Sequence, residues 1–133
     1  MRAKLLALVL MAAPAAYALE PADVVGVWDT QWADATDAPL GDGGPMLVSL
    51  DSSPELLDGM TPAPGMDGVM NGEATRQADG TLVWDGRWAS VWPEGATMGT
   101  FRIVFTDADH FTGAWSTDDK QVRGAAWAGT RAH

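Results

Sequence analysis

The tripeptide Gly-x-Trp occurs three times in this chain, as Gly26-Val27-Trp28, Gly86-Arg87-Trp88 and Gly113-Ala114-Trp115, and the order is reversed in Trp127-Ala128-Gly129. Residues two apart on a strand point to one face, so each pair sets a glycine beside an indole on the same surface. The missing side chain leaves room there for a bulky ring from a neighbouring strand. A curved, closed sheet has that need. The recurrence constrains the fold tightly and the chemistry loosely, because no set of catalytic side chains accompanies it.

Short runs rich in Val, Phe, Trp and Thr alternate with turn clusters, and no stretch keeps a helical period. Eight strands are expected, over Val25 to Trp32, Met46 to Asp51, Glu55 to Thr61, Gly68 to Gln77, Thr81 to Ser90, Met98 to Thr106, His110 to Ser116 and Val122 to Arg131. Ala78-Asp79-Gly80, Asp107-Ala108-Asp109 and Thr117-Asp118-Asp119-Lys120 read as tight connections between consecutive strands, which makes an antiparallel meander. The third strand is bounded by Pro54 and by Pro62 and Pro64, and a loop or a single helical turn is the competing reading. Alternation puts Leu82, Trp84, Gly86 and Trp88 on one face, joined by Gly99, Phe101, Ile103 and Phe105 and by Phe111, Gly113 and Trp115. Left open, that sheet would expose an aromatic patch and two edges, and closure removes both. The expected fold is all-β, a small eight-stranded antiparallel up-and-down meander barrel whose interior side chains can fill.

The first residues have a different character. Arg2 and Lys4 precede the apolar run Leu5 to Ala13, and Ala16-Tyr17-Ala18 ends on small residues at a spacing that suits cleavage after Ala18. Residues 1–18 are therefore expected to be a secretory signal peptide and residues 19–133 a single domain, secreted or periplasmic. The apolar run falls short of the roughly 20 residues that a spanning helix needs, so no integral membrane segment is expected after processing. The chain has no Cys, which leaves neither a lipid-carrying thiol nor a disulfide. Its formal net charge is −10, and losing Arg2 and Lys4 makes the remainder more negative by two charges. Like charge and the lack of a basic stripe exclude nucleic acid as a partner.

The terminal residues resemble those of the avidin-like and calycin meander barrels, and more closely those of exported bacterial domains that open with Gly-x-Trp-Asp-Thr and close with Trp-x-Gly-x-Arg. The matching residues are Gly26-Val27-Trp28-Asp29-Thr30, then Gly99-Thr100-Phe101-Arg102-Ile103-Val104-Phe105 followed by Asp109-His110-Phe111-Thr112-Gly113-Ala114-Trp115, and finally Trp127-Ala128-Gly129-Thr130-Arg131. The resemblance implies an avidin- or lipocalin-like barrel in which an arginine of the last strand covers the first tryptophan, a structural lock between Arg131 and Trp28. It says little about activity, since such barrels host binders, inhibitors and a few enzymes. The loop after the first strand, Ala33 to Asp42, is acidic and lacks the short Ser-rich turn of the avidins, which speaks against biotin. The disulfide of the related metalloprotease inhibitors cannot form.

Trp28, Trp32, Trp84, Trp88, Trp115 and Trp127 serve either as core filling or as the lining of an apolar cavity, and Trp92 is expected in a loop at a barrel mouth. Trp32, Trp84, Trp88, Trp92 and Trp115 form the candidate ligand-binding set. Met60, Met66 and Met70 flank a Pro- and Gly-rich stretch, Asp58 to Asn71, that reads as an ordered lid over one mouth. The acidic pairs suit turns better than calcium, and no metal site or cofactor is expected. His110 alternates outward, and Ser49, Ser90 and Ser116 lie on separate strands, so no nucleophile and base pair up. Only an isomerase or cyclase using Glu73 or Asp85 inside the barrel would make the protein an enzyme. The expected function is therefore non-enzymatic binding of a small apolar or aromatic molecule or of a protein partner. The alternative is a filled barrel that acts at its surface, as an envelope or inhibitor module.

Overall fold

The computed structural model describes residues 18–63 and 66–133, so the expected leader, apart from Ala18, lies outside the described residues. Eight strands form one closed antiparallel barrel in chain order: β1 Gly26–Trp32, β2 Gly41–Leu50, β3 Leu56–Ala63, β4 Met66–Arg76, β5 Leu82–Trp92, β6 Gly95–Asp107, β7 His110–Thr117 and β8 Ala125–Arg131. The ring closes where β1 pairs with β8, with Trp28 opposite Arg131 and Trp32 opposite Trp127. Closure leaves no sheet edge.

Several strand ends differ from the sequence expectation. β2 starts at Gly41 rather than Met46, because Thr30 donates its hydroxyl to the Gly44 carbonyl (2.8 Å) and holds the glycine-rich entry against β1. β8 starts at Ala125 rather than Val122. Residues 118–124 form instead a loop pinned by Arg123 N–H to the Thr36 hydroxyl at 2.9 Å. β5 runs on to Trp92, which pairs with Gly95, so Trp92 is a strand residue beside a two-residue turn and not a loop residue.

The tip of the segment expected to form a lid, residues 64–65, lies outside the described residues. On either side of it β3 and β4 pair from Leu56↔Glu73 to Ala63↔Met66, so both flanks of the Pro- and Gly-rich stretch belong to the ladder. Gly68 allows this, because a Cβ there would overlap the Thr61 hydroxyl that turns inward beside it. Met60 lies on the outer wall at 51% exposure, Met66 opens β4, and Met70 is buried in the barrel wall.

The interior is filled at one end. Trp28, Trp84, Phe105, Phe111, Met46, Leu57 and Leu82 are fully buried there. Trp28 meets Phe105 at 5.2 Å and Phe111 at 5.5 Å between ring centroids, and Trp84 meets Phe101 edge-on at 4.8 Å. A short 3-10 helix, Pro21–Val24, plugs this end from below. Val24 is fully buried, and its carbonyl accepts the Trp28 indole N–H at 2.9 Å.

The glycines beside the tryptophans meet different partners. Phe111 lies against Gly129, as expected of a ring filling the gap. At Gly86 and Gly113 the space is taken by backbone: a Cβ on Gly86 would overlap the Asn71 carbonyl, and one on Gly113 the Arg102 carbonyl. At Gly26 it is taken by the Arg131 guanidinium. That guanidinium sits 4.9 Å from the centre of the Trp28 ring. It donates to the carbonyls of Ala108 (2.9 Å), Val25 (2.9 Å) and Asp23, which satisfies a charge whose side chain is only 19% exposed.

The turns at this filled end are fixed by aspartates. Asp79 accepts from the hydroxyl and N–H of Thr81, and Asp107 from the ring of His110 and the N–H of Asp109. Each set of bonds holds its carboxyl below the ordinary value of 3.8. At the opposite end Asp119 is lowered in the same way by the Gln121 N–H and the Thr117 hydroxyl.

Two predictions follow from these contacts. Trp28→Ala should cost about 3–5 kcal/mol in urea unfolding, and Arg131→Ala less, since its loss strands carbonyls near water rather than opening the core. Equal and negligible effects would show that the first and last strands are not locked. The second concerns acid. Carboxyls lowered in the folded state stabilise it fully above their unfolded value, and that contribution is lost as pH falls through the folded value. The urea midpoint should hold from neutral pH down to about pH 5 and then drop below about pH 4. An Asp79→Asn, Asp107→Asn, Asp119→Asn variant should show a shallower drop.

Candidate functional site

The opposite end of the barrel is open. It is built where β1, β5 and β7 end and where β4, β6 and β8 begin, and these strands carry their aromatic side chains to one rim. Trp32 closes β1, Trp88 and Trp92 belong to the last turns of β5, Trp115 lies near the end of β7, and Trp127 near the start of β8. Together they line a cavity of about 280 Å³ with Met70, Thr61 and Ser90. That is just under the ~300 Å³ at which pockets for drug-sized ligands begin, so the space suits a small molecule.

Two of the indoles are fixed by their N–H groups. Trp88 donates to the carbonyls of Thr100 and Ser116, both at 3.1 Å, and so sits across the β6–β7 seam. Trp115 donates to the Ala33 carbonyl at 3.0 Å. Ala33 is itself buried and bonded through its N–H to Ala126 at 2.8 Å, which sets the next residue, Asp34, at the rim of the cup. Among the described residues Asp34 is the one ionisable side chain lining the cavity. The ring planes are mutually inclined: Trp88 and Trp115 meet at 82° and 5.6 Å, and Trp32 meets Trp115 at 44° and Trp127 at 47°, both at 6.0 Å.

Of the candidate binding set, Trp32, Trp88, Trp92 and Trp115 come together here and Trp84 does not. Trp84 is fully buried beneath the cup, against Phe101 and Phe105. The sequence reading left Trp127 outside the set, although its place opposite Trp32 in the closing pair of strands brings it in. Asp34 belongs in the sequence to an acidic loop whose carboxylates suit turns better than calcium. The signal that finds both is closure itself, which sets the start of β8 beside the end of β1. Of the methionines, Met70 alone is known to reach the cup.

The carboxylates on which barrel catalysis would rest face outward. Glu73 and Asp85 are exposed and paired across β4 and β5, and Asp85 is bonded to Arg102 at 3.3 Å. His110 is 60% exposed and bonded to Asp107. The outer wall also carries one continuous apolar row, in which Val27, Leu47, Met60, Val69, Ala89 and Met98 stand directly opposite one another across six strands. Of these, Met60, Val69 and Met98 are more than half exposed.

Fold and site together define a closed up-and-down barrel, packed at one end and cupped at the other. No protein-family model matches the chain, and no characterised protein matches it in sequence. Among solved structures, a redesigned β-barrel is similar to it, with a TM-score of 0.55 at 19% identity, over 87% of this chain and 97% of that one. At that identity the likeness shows the fold alone.

The division between packed end and cup predicts unequal costs. Trp84→Ala should lower stability by about 3–5 kcal/mol, and Trp92→Ala, at the rim, by less than about 1 kcal/mol. Thermal unfolding of the two variants checks this, and similar losses would place Trp92 in the core.

Proposed function

We propose that this protein is an exported, non-enzymatic barrel that binds a small apolar or aromatic molecule in the tryptophan cup. The observation that carries the reading is the cup itself. Five indoles converge on an opening of about 280 Å³, while the rest of the interior is packed. An aromatic-walled hollow is costly for a protein that has no use for it, because filling it with side chains would add stability. The Trp88 and Trp115 bonds hold the walls in place before any ligand arrives, which reduces the ordering cost of binding. Export is supported by the pattern of residues 1–18.

A second reading, contact with a protein partner, is favoured by the apolar row on the outer wall. The two readings separate by mutation. Native mass spectrometry of the exported protein should reveal a bound small molecule that Trp88→Ala loses and a Met60→Lys, Met98→Lys variant keeps. Binding of a protein that is lost only in the lysine variant would assign function to the outer wall. A wild-type protein that carries no small molecule, and whose Trp fluorescence no small apolar compound alters, would remove the cup reading.

A further inference from the structure

We propose that the cup selects a small organic cation, a quaternary ammonium group above all. The inference rests on the reading that the cup binds a small molecule, and deepens it by naming the chemical class.

The first argument is what the tryptophans present. The N–H groups of Trp88 and Trp115 are spent on backbone carbonyls, and that of Trp127 is buried. These rings therefore offer the cavity their π-systems rather than donors, and a π-face carries partial negative charge that attracts a cation. The second is the angle between the walls. A flat aromatic ligand gains most between two parallel faces, and the three ring pairs in contact around this cup are inclined, at 44°, 47° and 82°. Inclined walls enclose a compact, rounded group, which is the shape of a trimethylammonium head.

The third argument is charge. Asp34 is the one ionisable lining side chain among the described residues, and the chain as a whole carries −10. An anion would meet no Lys, Arg or His there and would be repelled at long range, whereas a cation is drawn in. Thr61, Ser90 and Thr97, which are polar but uncharged, also line the cavity. Desolvation then decides among cations. A primary ammonium would surrender water at three N–H donors in a mostly apolar hollow, while a quaternary head has no N–H to satisfy and loses less.

Calorimetric titration of residues 19–133 with three matched probes tests this. The probes are choline, its uncharged isostere with a tert-butyl group in place of trimethylammonium, and tert-butylacetate, which is anionic. Choline should bind about tenfold or more tightly than the uncharged isostere, and tert-butylacetate should not bind. Asp34→Asn should weaken choline about fivefold and leave the isostere unchanged. Added salt should weaken choline alone. Trp88→Leu should weaken both. Equal or tighter binding of the uncharged isostere would overturn the cation inference and leave the cup reading standing. No heat and no fluorescence change with any probe, from a protein shown to be folded, would overturn both.

Discussion

The contact on which the rest of the structure depends is the Arg131 guanidinium lying on the Trp28 indole. A barrel of eight sequential hairpins has one joint that no short turn makes, the pairing of its first strand with its last. Here that joint is made by residues of opposite chain ends, and a single side chain ties it to three further segments. Its donors reach the 3-10 helix at Asp23, the entry of β1 at Val25 and the β6–β7 turn at Ala108. The floor of the barrel is thereby assembled around one charge. That charge is tolerated near the core because every direction in which it points is met by an oxygen or a π-face.

From that floor the packing decreases along the barrel. Trp28, Phe105, Phe111 and Trp84 pack against one another in the lower half. Above Trp84 and Phe101 the rings line the wall of the cup, and two of them are held there by bonds of their own. Trp88 is bonded across a seam between two strands and Trp115 to the loop after β1. Indole is suited to this double use, since its N–H can anchor to the wall while its carbon surface faces the hollow.

Much of the fold could be read from the sequence because the large side chains of its strands recur at every second position. The faces of β5, β6 and β7 follow from Leu82 to Trp88, Gly99 to Phe105 and Phe111 to Trp115 without reference to anything distant. What could not be read is what depends on distant partners. Pro62 and Gly68 look like the ends of strands until Thr61 is seen to occupy the space that Gly68 leaves, so that the ladder continues past both. Trp84 and Trp88 look alike in sequence, four residues apart on one face. Only the closed ring shows that one is under the floor of the cup and the other in its wall. Asp34 carries no local mark either, since its place at the rim follows from the anchoring of Ala33 by Ala126 and Trp115, residues about ninety positions away.

The aliphatic row along the outside has a consequence for the protein as a colloid. Val27, Leu47, Met60, Val69, Ala89 and Met98 give neighbouring molecules an oily strip on which to meet, and what keeps them apart in suspension is mutual repulsion of strongly acidic surfaces. With an isoelectric point near 4.2, that repulsion disappears while the turn aspartates, whose carboxyls are held below 3.8, still keep their backbone partners. Dispersal rests on the whole acidic surface and internal order on a few turn aspartates, and acid removes the first before the second. The first failure of this barrel on acidification is then an association of still-folded molecules strip to strip rather than a passage into separate unfolded chains.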